Sequence, residues 1–580
     1  MAGNGAREPG GEGGWNFGET RAGRFIGDAA GGRADPRIAW LILGGAMLVS
    51  LAYCLYATRG STFTGDEIAW VAFSPDLTFR GSIEPHSGHL IFVTLWLYKA
   101  ILGTVGSDYL TFRLLTLAMV FSAVTLLFVY SRKRVGDFVA LAPCLVLLFF
   151  GNDAGNLLQG IGFTIMLAVT LGMVSLLAVE RNTRRGDGLA CAALTLAVVS
   201  FTLALPFLAG AIVAIALSRE RWRRIWLVAI PLLVYLAWRV WLIADQVEIT
   251  NGSADPAHIL LLPSWTFQSL SGILSALTGF NYNFESSGWL PPGEMAGPVL
   301  ALAFLGLLGW RIHKVKPLPW FLVPLTIMAA LFASQVLGWI PDVREPGSSR
   351  YLFPGAFAVI LVTVEAFRRY RFSPTVFVVI WVVALSALAT NIYFISDSGR
   401  SLRDRAPTVA AEVTASNLVN TAYPYPPSPK TRSLLDLVSD HGIAVSNASQ
   451  EEYGGIGFTE DELLAESEEL RTHADSIMGS AFGVLLIPEP GGRATGCRRL
   501  VGAGEPGITI PNLPKGGVVL KSPRAGSVSL RRFGTAFTVP AGELLPGRFM
   551  RLYIPVDDGK APWQLRADVP GLEVCRLPLS

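Results

Sequence analysis

Residues 38–57 read IAWLILGGAMLVSLAYCLYA, an apolar stretch without a single charged side chain. At a rise of about 1.5 Å per residue, a helix of this length crosses the roughly 30 Å hydrocarbon core of a bilayer. The segment before it, residues 1–37, is rich in Gly and Arg and lacks the short apolar stretch and cleavage site of a secretory signal. We therefore expect 1–37 to be a disordered cytoplasmic tail and 38–57 to be a first membrane span.

The composition of the whole chain agrees with this first span. Of the 580 residues, 51% are hydrophobic and only 16% are charged, against about 25% in an ordinary soluble protein. The formal net charge is only +3. These values exclude a disordered chain, a single soluble domain, and a nucleic-acid-binding protein that relies on bulk positive charge. A polytopic α-helical protein whose main partner is the lipid bilayer is predicted.

Basic clusters separate the apolar stretches, which recur up to residue 395. The clusters lie at 132–134, 181–185, 219–224, 311–316 and 368–371. The positive-inside rule places them and the tail in the cytoplasm, so an even number of spans separates neighbouring clusters. The predicted spans are 38–57, 109–130, 137–151, 158–179, 188–204, 206–218, 225–244, 296–310, 318–340, 351–367 and 374–395. About eleven spans, an odd number, place the C-terminal part outside a plasma (inner) membrane.

Two long outer loops follow from this topology. Residues 58–108 form the first, because the apolar stretch 90–105 is short for a span and contains Lys99. We expect 90–105 to be an interfacial or re-entrant helix. The second loop, 245–295, is rich in aromatic and amide side chains. Each ring suits an aromatic belt at the membrane interface, and the loop as a whole could instead cover a substrate cleft.

Residues 396–580 differ in composition from the spans and form a predicted extracytoplasmic domain. Short alternating stretches between Gly and Pro turns, such as 517–521 and 549–555, predict a β-sandwich-like fold. The acidic stretch 460–469 is predicted to be a solvated helix face. Cys497 and Cys575 are the only cysteines of this domain, and an oxidising compartment predicts a disulfide between them.

Adjacent carboxylates stand out where the first span emerges, in the sequence TGDEIAW at 64–70. Acidic side chains so close to hydrocarbon are costly unless they have a use. Asp66 or Glu67 could deprotonate an acceptor hydroxyl, or hold a cation that offsets phosphate charge. The alternative is that both carboxylates stabilise the N-terminus of a short surface helix.

The order of parts after this pair resembles the GT-C superfamily of membrane glycosyltransferases. The pair is followed by PHSGHLIFVTLWLYKAI at 85–101, then by Ser107-Asp108 and Arg113-Leu114 opening the second span, and by the basic turn at 132–134. The resemblance is nearest to the protein mannosyltransferase and aminoarabinose transferase branches. It implies sugar transfer from a polyprenyl-phosphate donor to an acceptor at the outer membrane face, with Asp66 as base or metal-associated carboxylate and Glu67 as its neighbour.

The element around His86 departs from this family pattern, since many relatives have a His-Pro-Pro order where this chain has Pro85-His86. His86 and His89 are candidate substrate-binding residues. A metal site formed with Glu84, or a role in helix capping or phosphate binding, are the alternatives left by the spacing.

A second polar cluster lies between the third and fourth predicted spans. Asn152 and Asp153, with Asn156 and Gln159 nearby, offer the donors and acceptors that sugar hydroxyls need. The resemblance implies that Asp153 is a metal or acceptor-site residue. The alternative is a polar turn that keeps the junction of two spans in water.

A third cluster precedes the tenth predicted span. Arg344 and Arg350 are basic residues on the outer side, where the positive-inside rule does not expect them. A guanidinium binds phosphate oxygens through two parallel hydrogen bonds, so Arg350 is predicted to bind the donor phosphate, with Arg344 and Tyr351 beside it. The alternative for Arg350 is a structural ion pair with Asp342.

The sequence thus predicts a glycosyltransferase for a hexose or pentose that uses a polyprenyl-phosphate-linked sugar and an envelope glycan, lipid or protein acceptor, and the resemblance implies that it is inverting. A divalent cation, Mg²⁺ or Mn²⁺, held by Asp66 and Asp153 is a further expectation of the resemblance. A transporter or flippase of lipid-linked glycans, with polar groups buried at mid-span, is one alternative. A non-enzymatic envelope-binding protein is the other.

Overall fold

A computed structural model describes residues 21–247, 255–280, 292–316, 318–340, 344–422, 453–482, 485–489, 494–501, 507–554 and 556–577. The helices before the C-terminal domain are α1 Arg21–Ala30, α2 Pro36–Ala57, α3 Asp66–Phe73, α4 Phe79–Ile83, α5 Phe92–Val105, α6 Tyr109–Val135, α7 Asp137–Leu148, α8 Ala154–Leu158, α9 Gly162–Glu180, α10 Arg184–Val198, α11 Leu205–Ala216, α12 Arg221–Arg224, α13 Trp226–Ala244, α14 Leu262–Thr278, α15 Pro292–Lys314, α16 Leu322–Leu337, α17 Ser349–Ala366 and α18 Pro374–Ala422. Two further helices, α19 Glu460–Ala465 and α20 Glu468–Phe482, precede the strands.

Ten of the described helical segments are long and apolar enough to cross a membrane. Nine of them coincide with predicted spans. The predicted spans 188–204 and 206–218 coincide with the shorter helices α10 and α11. The tenth segment, Pro256–Thr278, lies in the region predicted to be an outer loop. The chain is therefore a multi-pass helical membrane protein.

The basic clusters all lie at one end of the bundle, here called the basic end. Arg134 pairs with Glu180 and Glu365, and its backbone carbonyl accepts a hydrogen bond from the N–H of Arg369. The guanidinium of Arg311 donates to the carbonyl of Ala366, and that of Arg224 donates to the carbonyl of Val179. The predicted clustering of basic residues on one face is thus reproduced by contacts. The opposite end is here called the site end.

Helix α14 does not cross the bundle, although its length and composition would allow it. Near its start, the indole N–H of Trp265 lies 3.5 Å from Gln335, close to where α16 ends. Near its end, the carbonyl of Ala276 accepts a hydrogen bond of 3.2 Å from Asn391. Both partners are at the site end, so α14 lies along that end. The loop prediction for 245–295 missed this helix because its apolar face is completed only by contacts with neighbouring helices.

Residues 58–108 form a layer over the site end that is built from α3, α4 and α5. The N–H of Val93 donates to the carbonyl of Val199, and the N–H of Ser107 donates to the carbonyl of Tyr453. Both ends of α5 therefore lie at the site end, so α5 does not cross the bundle. Lys99 donates to the carbonyls of Pro75 and Leu77, in the turn after α3, which explains a lysine in an apolar helix.

Two predicted domain boundaries are corrected. Helix α18 continues from the bundle through residue 395 to Ala422, and Ala411 to Val419 pack into the core of the C-terminal domain. The segment predicted to be disordered contains α1, whose Ala29 and Ala30 are buried against the bundle. Both predictions were wrong for the same reason. Each helix has a face that is only partly apolar, and tertiary packing of that face stabilises the helix.

The C-terminal domain is a β-sandwich, as predicted. Its strands are β1 Leu485–Pro488, β2 Thr495–Val501, β3 Ile508–Ile510, β4 Gly516–Lys521, β5 Gly526–Arg531, β6 Val539–Leu544, β7 Phe549–Ile554, β8 Gln564–Ala567 and β9 Gly571–Arg576. They form antiparallel sheets of order β1-β7-β4-β9-β2 and β3-β8-β5-β6 with a common apolar core. A disulfide joins Cys497 and Cys575. The acidic stretch 460–469 is helical, but its Glu460 and Glu468 accept hydrogen bonds from backbone N–H groups of sandwich loops.

Candidate active site

Asp66 is the first residue of α3 and is presented by a sharp turn after α2. The carbonyls at the end of α2 are held by two guanidinium groups, of Arg113 on Thr58 and of Arg403 on Ala57. Gly65 then takes a φ of 55°, which favours glycine, and redirects the chain into α3. The Asp66 side chain is 53% exposed, so its carboxylate can meet a ligand.

The Asp66 carboxylate lies in a positively charged setting. Its Oδ2 is 3.2 Å from Nε2 of His86. The interaction with His86 lowers the pKa of Asp66 below its ordinary value, partial burial opposes this effect, and the charge of Arg350 lowers the pKa further. Asp66 is therefore ionised at neutral pH, as a general base must be.

His86 and His89 form a tight turn that is fixed from several sides. Their backbones exchange two hydrogen bonds of 2.9 Å, and Ser87 and Gly88 both have positive φ. The Arg344 guanidinium donates to the carbonyl of Ser87 at 3.0 Å. The turn thus holds the His86 ring beside Asp66, while Arg344 brings a second fixed positive charge to the same place.

The ring of His89 has a supporting part in this turn. Its Nδ1 hydrogen-bonds the Thr202 hydroxyl, and its ring centre lies 4.3 Å from that of Phe201. Burial, with the positive charge of Arg344 nearby, lowers the pKa of His89 to about 3. His89 is therefore neutral at neutral pH and does not supply the phosphate-binding charge that the sequence allowed. Instead it ties the turn to the connection between α10 and α11.

Arg350 and Tyr351 lie in the first turn of α17 and belong to the same site. Arg350 is exposed, and its charge acts on both Asp66 and Tyr351. Arg344 also acts on Tyr351. The structure therefore brings together Asp66 and His86 from the first outer loop with Arg344 and Arg350 from the segment before the tenth predicted span.

Asp153 is not exposed at this site, which corrects its predicted role in metal or substrate binding. Its side chain is 0% exposed. Its Oδ2 accepts from the N–H of Phe353 at 2.9 Å and from the Asn156 amide at 2.8 Å. That amide also donates to the carbonyl of Arg350 at 3.0 Å. Asp153 and Asn156 therefore hold the first turn of α17 in place and so position Arg350.

Asn152 likewise has a structural contact. Its backbone N–H and its side-chain amide both donate to Oδ1 of Asn391, at 3.1 Å each. Asn391 is fully buried in α18, where its own amide donates to two backbone carbonyls. Sequence reasoning missed Asn391, although a lone amide within an apolar span is a signal for such a partner.

Glu67, predicted to share the catalytic role, is buried away from the ligand-accessible surface. Its side chain is 0% exposed, and its two oxygens accept hydrogen bonds of 3.0 Å from Tyr98 and Tyr109. The backbone of Gly160 packs against Oε1, where a Cβ would clash. Burial raises the pKa of Glu67 to about 7, although the hydrogen bonds it accepts oppose this. Glu67 therefore joins α3 to α5 and α6 beneath Asp66.

Among the residues that the structure describes, Asp66 and Asp153 do not form the predicted metal site. Within the described part of the chain, no group of three or more His, Cys, Asp and Glu side chains could hold a metal ion. Asp66 has one histidine partner, and both oxygens of Asp153 are engaged elsewhere. The predicted pairing of Asp66 with Asp153 around a metal is therefore not supported.

The fold and the site define a multi-pass helical membrane protein with an acidic and basic side-chain cluster at one end of its bundle. Solved structures of ArnT from Cupriavidus metallidurans are similar to it. The complex of ArnT with undecaprenyl phosphate is 12% identical over 65% of this chain and 80% of that chain, with a TM-score of 0.39. The apo form of ArnT is 13% identical over 67% and 81%, with a TM-score of 0.40. No family model and no curated protein matches the chain.

Proposed function

We propose that this protein is a membrane glycosyltransferase that moves a sugar from a polyprenyl-phosphate donor to an acceptor hydroxyl. The observation that carries the proposal is the exposed, ionised Asp66 carboxylate at 3.2 Å from His86, with Arg344 and Arg350 beside it. A base next to fixed positive charges is what transfer from a sugar phosphate requires. The resemblance of the first outer loop to GT-C enzymes, and an ArnT structure that contains undecaprenyl phosphate, agree with this donor class.

Asp66 acts as the general base in this proposal. The acceptor hydroxyl oxygen forms a bond to the anomeric carbon as its proton passes to a carboxylate oxygen of Asp66. The bond from that carbon to the phosphate oxygen breaks, and the electron pair leaves with the phosphate. One displacement of this kind inverts the anomeric configuration. His86 holds the Asp66 carboxylate in place for the proton transfer.

Arg350 and Arg344 stabilise the departing phosphate. The negative charge on the leaving oxygen grows as the sugar bond breaks, so fixed guanidinium groups contribute most in the transition state. Arg344 is held by its bond to the Ser87 carbonyl, and the backbone at Arg350 is held by Asn156. This anchoring means that the charges need little reorganisation during the reaction.

The positions of the buried charged side chains along the bundle argue against the transporter alternative. A lipid-linked glycan passing through the bundle would need polar groups near mid-span. The buried charged side chains of the described bundle are Glu67, Arg113, Arg134, Asp153, Asp187, Arg224 and Glu365. Glu67, Arg113 and Asp153 are at the site end, and the other four are at the basic end. Chemistry at one end of the bundle accounts for this distribution better than transport.

The proposed orientation places the basic end and the N-terminus in the cytoplasm and the site, with the sandwich, outside an inner membrane. The clustering of arginines and lysines at the basic end supports this orientation. The disulfide between Cys497 and Cys575 supports it too, because disulfides persist in oxidising compartments. The acceptor then belongs to the cell envelope: a glycan, lipid or protein.

The test is transfer by the purified full chain from a panel of undecaprenyl-phosphate hexoses and pentoses. Asp66→Asn should lower kcat by about 10²–10⁴-fold, because the base is lost while the shape of the site is kept. Asp76→Asn is the matched control, since Asp76 is an exposed carboxylate in the same loop. Arg350→Lys should raise the donor KM because one charge remains but the planar pair of donors is lost.

Several results would contradict the proposal. Transfer by Asp66→Asn at the wild-type rate would refute the assignment of Asp66 as the base. Absence of transfer from every donor of the panel would refute the proposed reaction. Translocation of a fluorescent lipid-linked glycan across vesicles would support the transporter instead.

A further inference from the structure

The outward face of the five-stranded sheet carries side chains that the fold does not use. On β7, Met550, Leu552 and Ile554 point into the core of the sandwich. Because successive side chains on a strand alternate between faces, Phe549, Arg551 and Tyr553 point the other way. Tyr553 is 42% exposed. A row of ring, guanidinium and ring therefore lies on the outside of the sheet.

The neighbouring strands add acceptors and donors next to this row. The N–H of Glu489 donates to the carbonyl of Phe549 at 2.9 Å, so Glu489 lies across from that ring on the β1 side. On the other side Phe549 pairs with Lys521, which pairs with Glu573, which pairs with Arg499. Carboxylates and cations thus alternate across the sheet, and the face has almost no net charge.

Two of these side chains have buried atoms without a hydrogen bond. Glu489 is 9% exposed, and its Oε2 has no partner in the described structure. The Nε of Arg551 is buried and also has no partner there. Buried polar atoms are costly when unpaired, so a polar ligand that reaches these two atoms after a small side-chain movement would remove that cost.

We propose that this face binds a glycan chain, independently of the transfer reaction at Asp66. A sugar presents an apolar C–H face that packs on an exposed ring such as Tyr553, and hydroxyls that both donate and accept. The hydroxyls donate to Glu489 and accept from Arg551. The Cα atoms of Phe549 and Tyr553 are about 13 Å apart along the strand, which leaves room for several consecutive sugars.

A membrane surface fits this face less well. A lipid-binding face carries an excess of positive charge, whereas Glu489 and Glu573 offset the cations here. The predicted span in α18 ends at 395, and the part of α18 that packs into the sandwich begins at Ala411, 16 residues or roughly 24 Å of helix further on. This length of helix separates the predicted span from the core of the sandwich.

The experiment measures binding of the full chain in detergent to immobilised mannan, arabinogalactan and dextran. Wild type should bind at least one of them, and Tyr553→Ala and Glu489→Gln should each bind about ten-fold more weakly. Leu545→Ala is the matched control, because Leu545 is an exposed side chain in the turn before β7. All variants should keep wild-type transfer to a short soluble acceptor.

Three results would overturn the proposal. They are equal affinity of Tyr553→Ala and wild type, binding of none of the three polysaccharides, and binding to vesicles of phosphatidylethanolamine and phosphatidylglycerol in place of glycan. Loss of transfer with glycan binding intact would instead count against the function proposed for Asp66 and leave this face as assigned.

Discussion

Replacement of Glu67 by Gln should change how the stability of the outer loop depends on pH. Burial raises the pKa of Glu67 to about 7 from 4.5. A carboxyl whose pKa is raised in the folded state contributes stability that is fully present below the unfolded pKa and is lost as pH rises through the folded pKa. Between pH 5 and pH 8 the linkage relation gives a loss of about 2–3 kcal/mol, which is on the order of 70-fold in the equilibrium for local unfolding of the loop.

The titration of His89 has the opposite effect on the stability of the loop, so its contribution must be separated from that of Glu67. Its pKa is lowered to about 3 from 6.5, so its contribution is present above pH 6.5 and is lost as pH falls toward 3. The contribution of His89 therefore grows by about 2 kcal/mol from pH 5 to pH 8. Wild-type stability in this region should consequently vary little with pH, whereas Glu67→Gln should gain stability as pH rises.

The amide group that Glu67→Gln introduces should lower the stability of the loop by a similar amount at every pH. Gln keeps one oxygen to accept from Tyr98, but its amide group faces the Tyr109 hydroxyl, which already accepts from the N–H of Gly160. We expect a loss of about 1 kcal/mol from this mismatch. The pH dependence and the fixed cost can therefore be told apart in one set of measurements.

The assay is hydrogen–deuterium exchange of peptides covering α3 and α5, with wild type and Glu67→Gln compared at pH 5 and at pH 8. The comparison at each pH cancels the intrinsic exchange rate and the contribution of His89. The ratio of wild-type to variant protection should fall about 70-fold between the two pH values. Peptides from β7 of the sandwich serve as the internal control. A ratio that does not change with pH would refute the assignment of this titration to Glu67.

Three further outcomes are expected. Asp153→Asn replaces one of the two accepting oxygens by an amide group, so the N–H of Phe353 or that of Asn156 loses its acceptor. The chain should be destabilised by about 1–3 kcal/mol, and the donor KM should rise because this turn carries Arg350; an unchanged KM would contradict the positioning role. Removal of the disulfide between Cys497 and Cys575, 78 residues apart, should destabilise the sandwich by about 4 kcal/mol, seen as faster proteolysis in reductant. The lowered pKa of Asp66 predicts that the acid limb of kcat/KM lies below the ordinary Asp pKa of 3.8, and an acid limb centred above that value would count against Asp66 as the base.

Most of the membrane fold could be predicted from the sequence because hydropathy and charge act locally. An apolar stretch such as 38–57 must leave water, and a basic cluster such as 132–134 must remain in it, whatever the rest of the chain does. The sandwich was predictable for a similar reason, since alternating strands show their periodicity within a few residues. Helix α14 was missed because its apolar face exists only against the neighbouring helices.

The candidate site was predictable only in part. Asp66 and Arg350 were identified because a carboxylate and an outer arginine next to spans are rare in any membrane protein. Glu67 and Asp153 carry a carboxylate next to a span, as Asp66 does, yet neither is exposed. The exposure of a carboxylate could not be predicted from the sequence because it depends on distant contacts. Asp153, for example, accepts a hydrogen bond from the backbone N–H of Phe353, 200 residues away.

The sequence by itself determined that this protein spans a membrane many times, that its basic turns share one end, and that a separate β domain follows. Each of these depends on the local balance between apolar and charged residues. The tertiary structure alone decided which carboxylate can meet a substrate. Contacts from α5, α6 and α17 bury Glu67 and Asp153 as supports and leave Asp66 exposed between His86 and the two arginines, because burial is set by residues distant in sequence.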